Sequence, residues 1–309
     1  MMKKSALKWW VPGIVLVLGA AIWFGISAYV ASKAEQELQQ FLKAFNLQDK
    51  THWDSLTATP LGKITIKDFT VKDKGNEIQV RRIVLTDVIN QPEHQRFQLD
   101  VEGLGNGAGY SPISGTHPVF GGLELPPLDF SISSESDYAK DLSELRFSFV
   151  QDQMLSGSYA MRLSQVQAFR TFNDEMKKDS INLFAVLMEL QQVRLDHLQL
   201  KLENLGFIEY FQTALKKSAE NPEAMLPGLQ GYDFTDSLDI KAALCPMDQY
   251  MSHVNDPELA CRTLFDFATG RGKTLDLSIA PAEPVTTAVL FQLQRNPSLL
   301  STLNIDIKP

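Results

Sequence analysis

The sequence predicts an α+β fold, with an N-terminal transmembrane helix followed by a curved, mainly antiparallel β-sheet body with packed helices. Three observations support this prediction. Segment 9–32 contains 24 residues without a charge. Beyond it, apolar and polar residues alternate in many short stretches, which is the pattern of strands that bury one face. Stretches of helical period lie between the later strands, and the continuous apolar runs of a parallel sheet do not occur.

The N-terminal segment has the properties of an uncleaved membrane anchor. Residues 9–32 can cross a bilayer core, which needs about 20 apolar residues. Lys3, Lys4 and Lys8 precede them, so residues 1–8 form a basic tail on the cytoplasmic side and the body faces outward. A cleaved signal peptide is the alternative, although its apolar core is usually only about 7–15 residues long.

Residues 33–47 are predicted to form an amphipathic stalk helix. Apolar residues recur at helical spacing at Leu38, Phe41, Leu42 and Phe45. Two interpretations are open: the helix packs its apolar stripe on the body, or it binds a membrane surface or a partner protein. The first is favoured, because interfacial helices usually carry more Lys and Arg on the polar face, and this helix carries acids.

The body, residues 48–309, opens with a predicted β-hairpin. The apolar residues of its two strands are Ile64, Ile66, Phe69 and Val71, then Ile78, Val80, Ile83 and Leu85. In each strand the alternation slips by one residue near its middle, and a β-bulge is the feature that absorbs such a slip without turning the buried face outward. Because bulges increase twist, the hairpin predicts the start of a curved sheet.

This hairpin carries a family resemblance. Residues 61–71, with Asp73, Gly75 and the alternating residues 78–85, resemble the opening hairpin of AsmA-like envelope proteins, and residues 2–38 are similar to the start of the YdgA-like family. The resemblance implies a bacterial inner-membrane anchor, a periplasmic β-rich body and a role in the cell envelope. For the AsmA-like family it also implies the passage of lipid along an apolar β-groove. The groove residues would be Ile64, Ile66, Ile78 and Val80.

Strands and helices alternate along the rest of the body. Strands are predicted at 97–101, 128–132, 145–149, 159–163, 195–202, 275–279 and 303–307, and helices at 169–190, 206–218, 257–267 and 285–293. The glycine-rich segment 103–122 is predicted to be a long loop. Its start matches the letters of a dinucleotide fingerprint, but prolines forbid the helix that must follow, so no nucleotide or other cofactor is predicted. A sub-boundary near residue 170 is left open.

Cys245 and Cys261 are the only cysteines, and an oxidising compartment favours a disulfide between them. A copper site is the alternative, because Met247, Met251 and His253 lie between them and soft sulfur ligands select Cu(I). The spacing matches no closed metal motif, so no metal is predicted.

The sequence favours a non-enzymatic function. It carries no nucleophile elbow, zinc-binding helix or phosphate-binding loop, and its histidines stand in unrelated contexts. Beyond the basic tail the chain has 26 bases and 37 acids, a net charge of −11, which argues against nucleic acid. The leading hypothesis is an envelope scaffold or protein-interaction module. A lipid-binding protein holding an acyl chain is the alternative, and a periplasmic enzyme is the third.

Overall fold

The computed structural model describes residues 31–44, 47–59, 62–73, 76–112, 114, 123–170, 188, 190–220, 245–293 and 295–309. Residues 9–30 of the predicted anchor, residues 74–75 of the predicted hairpin and most of the predicted helix 169–190 lie outside this set. Among the described residues, no helix has the length and apolar character needed to span a bilayer.

The described chain is mainly an antiparallel β-sheet with a few helices, as the α+β prediction requires. Its strands are β1 (Thr51–His52), β2 (Ser55–Ala58), β3 (Ile64–Asp73), β4 (Asn76–Asn90), β5 (His94–Asn106), β6 (Leu128–Asp137), β7 (Leu142–Gln151), β8 (Leu155–Ser164), β9 (Arg194–Asn204), β10 (Thr274–Ile279), β11 (Val285–Thr286) and β12 (Ile305–Lys308). Alternating apolar residues produce these strands because each buries one face.

The α-helices that accompany the sheet include α1 (Ala31–Ala44), α2 (Phe207–Glu220), α3 (Pro257–Ala268) and α4 (Thr287–Gln292). Short 3-10 turns lie at Gln48–Lys50, Cys245–Met247, Met251–His253 and Pro297–Leu303. Helix α3 begins where Asp256 caps it: the backbone N–H of Leu259 donates to the Asp256 carboxylate, and a proline occupies the first turn.

The sheet is a meander. Its strand order is β1-β3-β4-β5-β6-β7-β8-β9-β10-β12, with β2 also paired to β3 and β11 also paired to β9. From β3 to β9 each strand pairs with the next one along the chain, and every pair is antiparallel. Within each uninterrupted stretch of a strand, the parity of a residue determines which face its side chain takes.

The predicted slip in the hairpin occurs at the same level in three neighbouring strands. Asp68 of β3 stands opposite Arg81 of β4, and Arg81 stands opposite Gly103 of β5, while the register on either side of them is unchanged. The hairpin therefore needs no bulge between its two strands, which is a correction to the predicted bulge. Strand β6 has no matching extra residue, and the register shifts there. The N–H of Gly103 donates to Asp129 Oδ1 of β6 at 2.5 Å.

Two apolar clusters lie at the two ends of the sheet. In the first, Leu38 and Leu42 of α1 pack with residues of β3 to β6. In the second, α3 and the turn at Pro297–Leu303 pack with β9, β10 and β12. A smaller cluster joins α2 to Leu123 and Leu125. The predicted stalk helix thus packs on the body, whereas the side chains of Phe41 and Phe45 lie outside the described set.

Several predicted boundaries are wrong, among them those of β5 and of the helix predicted at 285–293. Strand β5 continues to Asn106, through the first glycines of the predicted loop. Gly105 lies at a close approach of the backbone there: the carbonyl oxygen of Tyr110 is 3.2 Å from where a Cβ of Gly105 would stand. The predicted helix 285–293 begins instead as β11, and its helical part is only Thr287–Gln292.

Candidate functional site

The four predicted groove residues lie in the first apolar cluster. Ile64, Ile66 and Val80 are buried, and Ile78 is half-buried and packs against them. Helix α1 contributes its buried leucines to the same cluster, so it covers this part of the sheet. An open groove at these residues would require α1 to move away.

The apolar face continues across the sheet beyond α1. Side chains of directly paired residues project from the same face, so the register gives rows that cross the strands. One row is Ile64, Leu85, Leu99, Ile132, Phe147, Tyr159, Leu200, Leu277 and Ile307. A neighbouring row is Ile66, Ile83, Val101, Phe130, Phe149, Gly157, Leu202 and Leu275. The two rows connect the first cluster to the second.

Five half-buried side chains lie between the two clusters, two of them in the first row and three in the next row, on the side away from Phe149. We name them the central strip: Leu145, Tyr159, Met161, Leu198 and Leu200. Met161 of β8 pairs with Leu145 of β7 and with Leu198 of β9, and Tyr159 pairs with Leu200. The strip therefore spans three adjacent strands. Because most buried core side chains of a sheet are nearly inaccessible, half-buried ones at its centre are candidates for contact with a ligand.

Aromatic rings border the central strip on the side of the first cluster. The ring centroids of Phe130 and Phe147 are 5.9 Å apart, and those of Phe147 and Phe149 are also 5.9 Å apart. These separations are typical of favourable aromatic pairs. The rings form an apolar wall beside the strip.

Tyr159 supplies the hydroxyl group of the central strip. Its Oη donates to the Sδ of Met161 at 3.1 Å. Burial raises the pKa of the Tyr159 hydroxyl, which keeps it protonated and able to donate. The strip thus combines aliphatic side chains with one directed hydrogen-bond donor.

The opposite face of the sheet is charged. Arg162 donates to Glu144 from both Nε and Nη2, at 3.0 and 2.7 Å, and holds the pKa of that carboxyl below its usual range. Lys201 pairs with Asp276 at 3.4 Å, and Arg82 pairs with Glu102. The sheet therefore presents one solvated face and one apolar face, and the central strip belongs to the apolar face.

The predicted disulfide is confirmed. Cys245 and Cys261 are bonded, with a Cα–Cα distance of 6.0 Å. The bond ties the turn at Cys245–Met247 to α3, and it engages both sulfurs that the copper hypothesis would need as thiolates. Beside it, Met247 is 81% exposed and Tyr250 is 40% exposed.

Two histidines of the described residues lie close to a carboxylate. His52 lies 3.7 Å from Asp54, and His94 lies 3.1 Å from Glu135, at exposed or partly exposed positions. Within the described part of the chain, no group of three or more His, Cys, Asp or Glu residues could hold a metal ion.

The sequence showed the alternation within β7, β8 and β9 but missed the central strip. Each strand alone predicts a buried face, and only the register places Leu145, Met161 and Leu198 side by side. The usable signal was the repetition of an apolar i, i+2, i+4 spacing in three consecutive strands.

Comparison of the chain with protein-family models and with curated proteins gives no match. The resemblance to envelope proteins therefore depends on the residues of the N-terminal third alone.

Proposed function

We propose that the protein is a membrane-anchored protein of the bacterial envelope whose body binds the acyl chain of a lipid and catalyses no reaction. The observation that carries this proposal is the apolar face, whose rows run from β3 to β12 and are only half-buried at the central strip. Large apolar surfaces that are not fully buried mark sites of interaction with apolar ligands or partners.

The central strip suits an acyl chain in its chemistry and size. Its side chains are aliphatic or aromatic, and the three strands from β7 to β9 span about 10 Å at about 4.8 Å per strand. Each methylene group that a ligand buries there contributes about 0.8 kcal/mol. A single chain lying across the strip therefore gains enough to bind reversibly.

The N-terminal segment supports a lipid ligand over other apolar ligands. The uncharged residues 9–32 lead into α1, and α1 packs on the same face of the sheet as the central strip. This arrangement keeps the apolar face close to the chain that we propose enters the membrane. The proposed location is the inner membrane, with the body in the periplasm, and the disulfide suits that oxidising compartment.

Photo-crosslinking tests the proposal on the full chain. The protein is reconstituted in vesicles of phosphatidylethanolamine and phosphatidylglycerol that contain a phospholipid with a photoreactive acyl chain. We expect crosslinked peptides from β7, β8 and β9 in addition to those from residues 9–32, which serve as an internal control. Crosslinks confined to residues 9–32 would contradict lipid binding by the body.

A matched pair of variants locates the site. Leu200→Asp places a charge in the central strip and should abolish crosslinks to β7, β8 and β9. Ser158→Asp places the same charge on the polar face, next to Lys201 across the strand pair, and should leave them unchanged. Circular dichroism of both variants establishes that the fold is retained.

The scaffold function favoured by the sequence is the second candidate. The observation that favours it is the exposed pair Met247 and Tyr250, which the disulfide holds at the surface. A stoichiometric protein that co-purifies with the full chain and is lost on Met247→Ser, while no lipid crosslinks to the body, would establish it.

Topology is tested separately with alkaline phosphatase fused after residue 60, which should be active.

A further inference from the structure

The hydroxyl of Tyr159 has an unusual partner for a phenol in an apolar environment. Buried tyrosine hydroxyls normally find a strong hydrogen-bond acceptor. Here the Oη donates to the Sδ of Met161, and a thioether is a weak acceptor. Among the described residues, this is the contact that orients the hydroxyl.

The same contact fixes the direction of the ring. Met161 is two residues further along β8 and projects from the same face as Tyr159. To reach the Sδ at 3.1 Å, the ring must lie along the strand and over the central strip. The hydroxyl is therefore held among the apolar side chains, where a ligand on the strip would meet it.

The Tyr159 hydroxyl can exchange Met161 for a ligand acceptor at little cost in free energy. A ligand carbonyl oxygen is a stronger acceptor than a thioether, so the hydroxyl gains a better hydrogen bond when it turns from Met161 to a ligand. Burial disfavours the phenolate, so the donor proton is retained throughout the neutral pH range.

We propose that Tyr159 is a specificity-determining residue that donates a hydrogen bond to the ester carbonyl of a bound phospholipid. The inference rests on the proposed function and names its ligand class: an acyl ester, in preference to a chain without a carbonyl. The aliphatic residues of the strip hold the chain, and Tyr159 sets the position of its ester along the strip.

The test compares two photoreactive lipids in the same vesicles. One has ester-linked chains, and the other is its ether-linked analogue, which lacks the carbonyl groups. We expect wild-type protein to crosslink the ester lipid through β8 and β9 about five- to tenfold more than the ether lipid, the ratio expected for one hydrogen bond. Tyr159→Phe removes the hydroxyl, retains the ring and should bring this ratio to about one.

The variants separate failure of this inference from failure of the proposed function. If wild type has no ester preference, or Tyr159→Phe retains it, the role of Tyr159 is wrong, while loss of all strip crosslinks in Leu200→Asp still supports lipid binding. If Leu200→Asp crosslinks like wild type, the proposed function fails, and this inference fails with it. If a photoreactive fatty acid crosslinks more than the ester lipid, the preferred acceptor is a free carboxylate, and the proposed phospholipid ester is wrong. Ser158→Ala, on the polar face, is the control for each lipid.

Discussion

The ring of Phe149 covers Gly157, the residue directly opposite it on the neighbouring strand. A Cβ added to Gly157 would stand 2.6 Å from Cε1 of Phe149 and 2.8 Å from Cδ2 of Leu202. Real Cβ atoms do not approach other atoms so closely, so the ring occupies the space that any larger residue would need. The glycine thus shapes the apolar face beside the central strip.

We expect Gly157→Ala to lower the free energy of unfolding by about 1–2 kcal/mol. Overpacking of this kind costs about 1–3 kcal/mol, and the smaller conformational entropy of the unfolded chain offsets part of it. The thermal unfolding midpoint of the full chain in detergent, followed by near-ultraviolet circular dichroism, measures the change.

The ring itself provides the control for this prediction. Phe149→Leu frees the space above residue 157, so the double variant Phe149→Leu/Gly157→Ala should lose less stability than the two single changes added together. Ser158→Ala alters the adjacent residue on the other face and should change the midpoint little. Strict additivity of the two changes would contradict the proposed role of the ring.

A second prediction concerns the line of residues Asp68, Arg81 and Gly103, which stand at one level across β3, β4 and β5. Gly103 has a φ of 67°, and a Cβ there would lie 2.9 Å from the Cβ of Arg81. Gly103→Ala therefore combines backbone strain with a steric clash, and we expect a loss of about 1–3 kcal/mol in the free energy of unfolding.

Asp68, at the other end of this line, is the matched control. Its φ of 51° also lies in the left-handed region, but a side chain is already present there and is exposed. Asp68→Gly relieves strain in the folded state and increases the freedom of the unfolded chain, so the two effects nearly cancel. A larger loss in Asp68→Gly than in Gly103→Ala, by thermal unfolding, would show that the argument is wrong.

The strands of this fold were accessible from the sequence because their residues alternate. The slip between Ile66 and Phe69 was also visible, since local spacing reveals it. Its consequence was not, because only pairing shows that Asp68, Arg81 and Gly103 stand at one level, so that the slips cancel between β3, β4 and β5. Register is a non-local property that alternation within one strand does not determine.

For the candidate site, too, the sequence showed the local spacing of apolar residues but not the contacts between distant segments. The apolar spacing of Leu198 and Leu200 predicted a buried face for β9, yet the partner strand β8 ends 30 residues earlier in the chain, at Ser164. Likewise, the amphipathic pattern of α1 predicted docking on the body, but it did not show that the helix covers the predicted groove. Tertiary packing determines which of several similar apolar faces contact each other, and this cannot be read directly from a single sequence.

The exposed carboxylate of Glu209 links α2 to Asn204, at the end of β9, and to Lys273, just before β10. This contact predicts that the stability of the fold depends on pH. Lys273 and the amide of Asn204 both donate to Glu209, and these hydrogen bonds, that of the lysine above all, lower the pKa of Glu209 to about 2. A carboxyl whose pKa falls on folding stabilises the native state above its unfolded pKa, and this contribution is lost as the pH falls towards 2. Because the group is exposed, we expect only about 0.2–1 kcal/mol.

Glu209→Gln tests this prediction by removing the charge. The thermal midpoint of the variant should lie below that of wild type at pH 6, and the difference should close as the pH is lowered from 4.5 towards 2. Glu283→Gln removes a carboxylate from an exposed loop and should show no such convergence. A difference between wild type and Glu209→Gln that is independent of pH would contradict the assignment.

The disulfide gives the last prediction. Cys245 and Cys261 are separated by 16 positions, and closing a loop of this size is worth about 3 kcal/mol in the chain-entropy model. We expect the double variant Cys245→Ser/Cys261→Ser to lose about this amount and to become more sensitive to proteolysis around Met247, because the bond fastens that turn to α3. Intact mass of the alkylated protein, with and without reductant, establishes the redox state in material isolated from membranes. Reductant should destabilise wild type but leave the double variant unchanged. Free thiols at both positions in that material would contradict both the bond and the proposed periplasmic location.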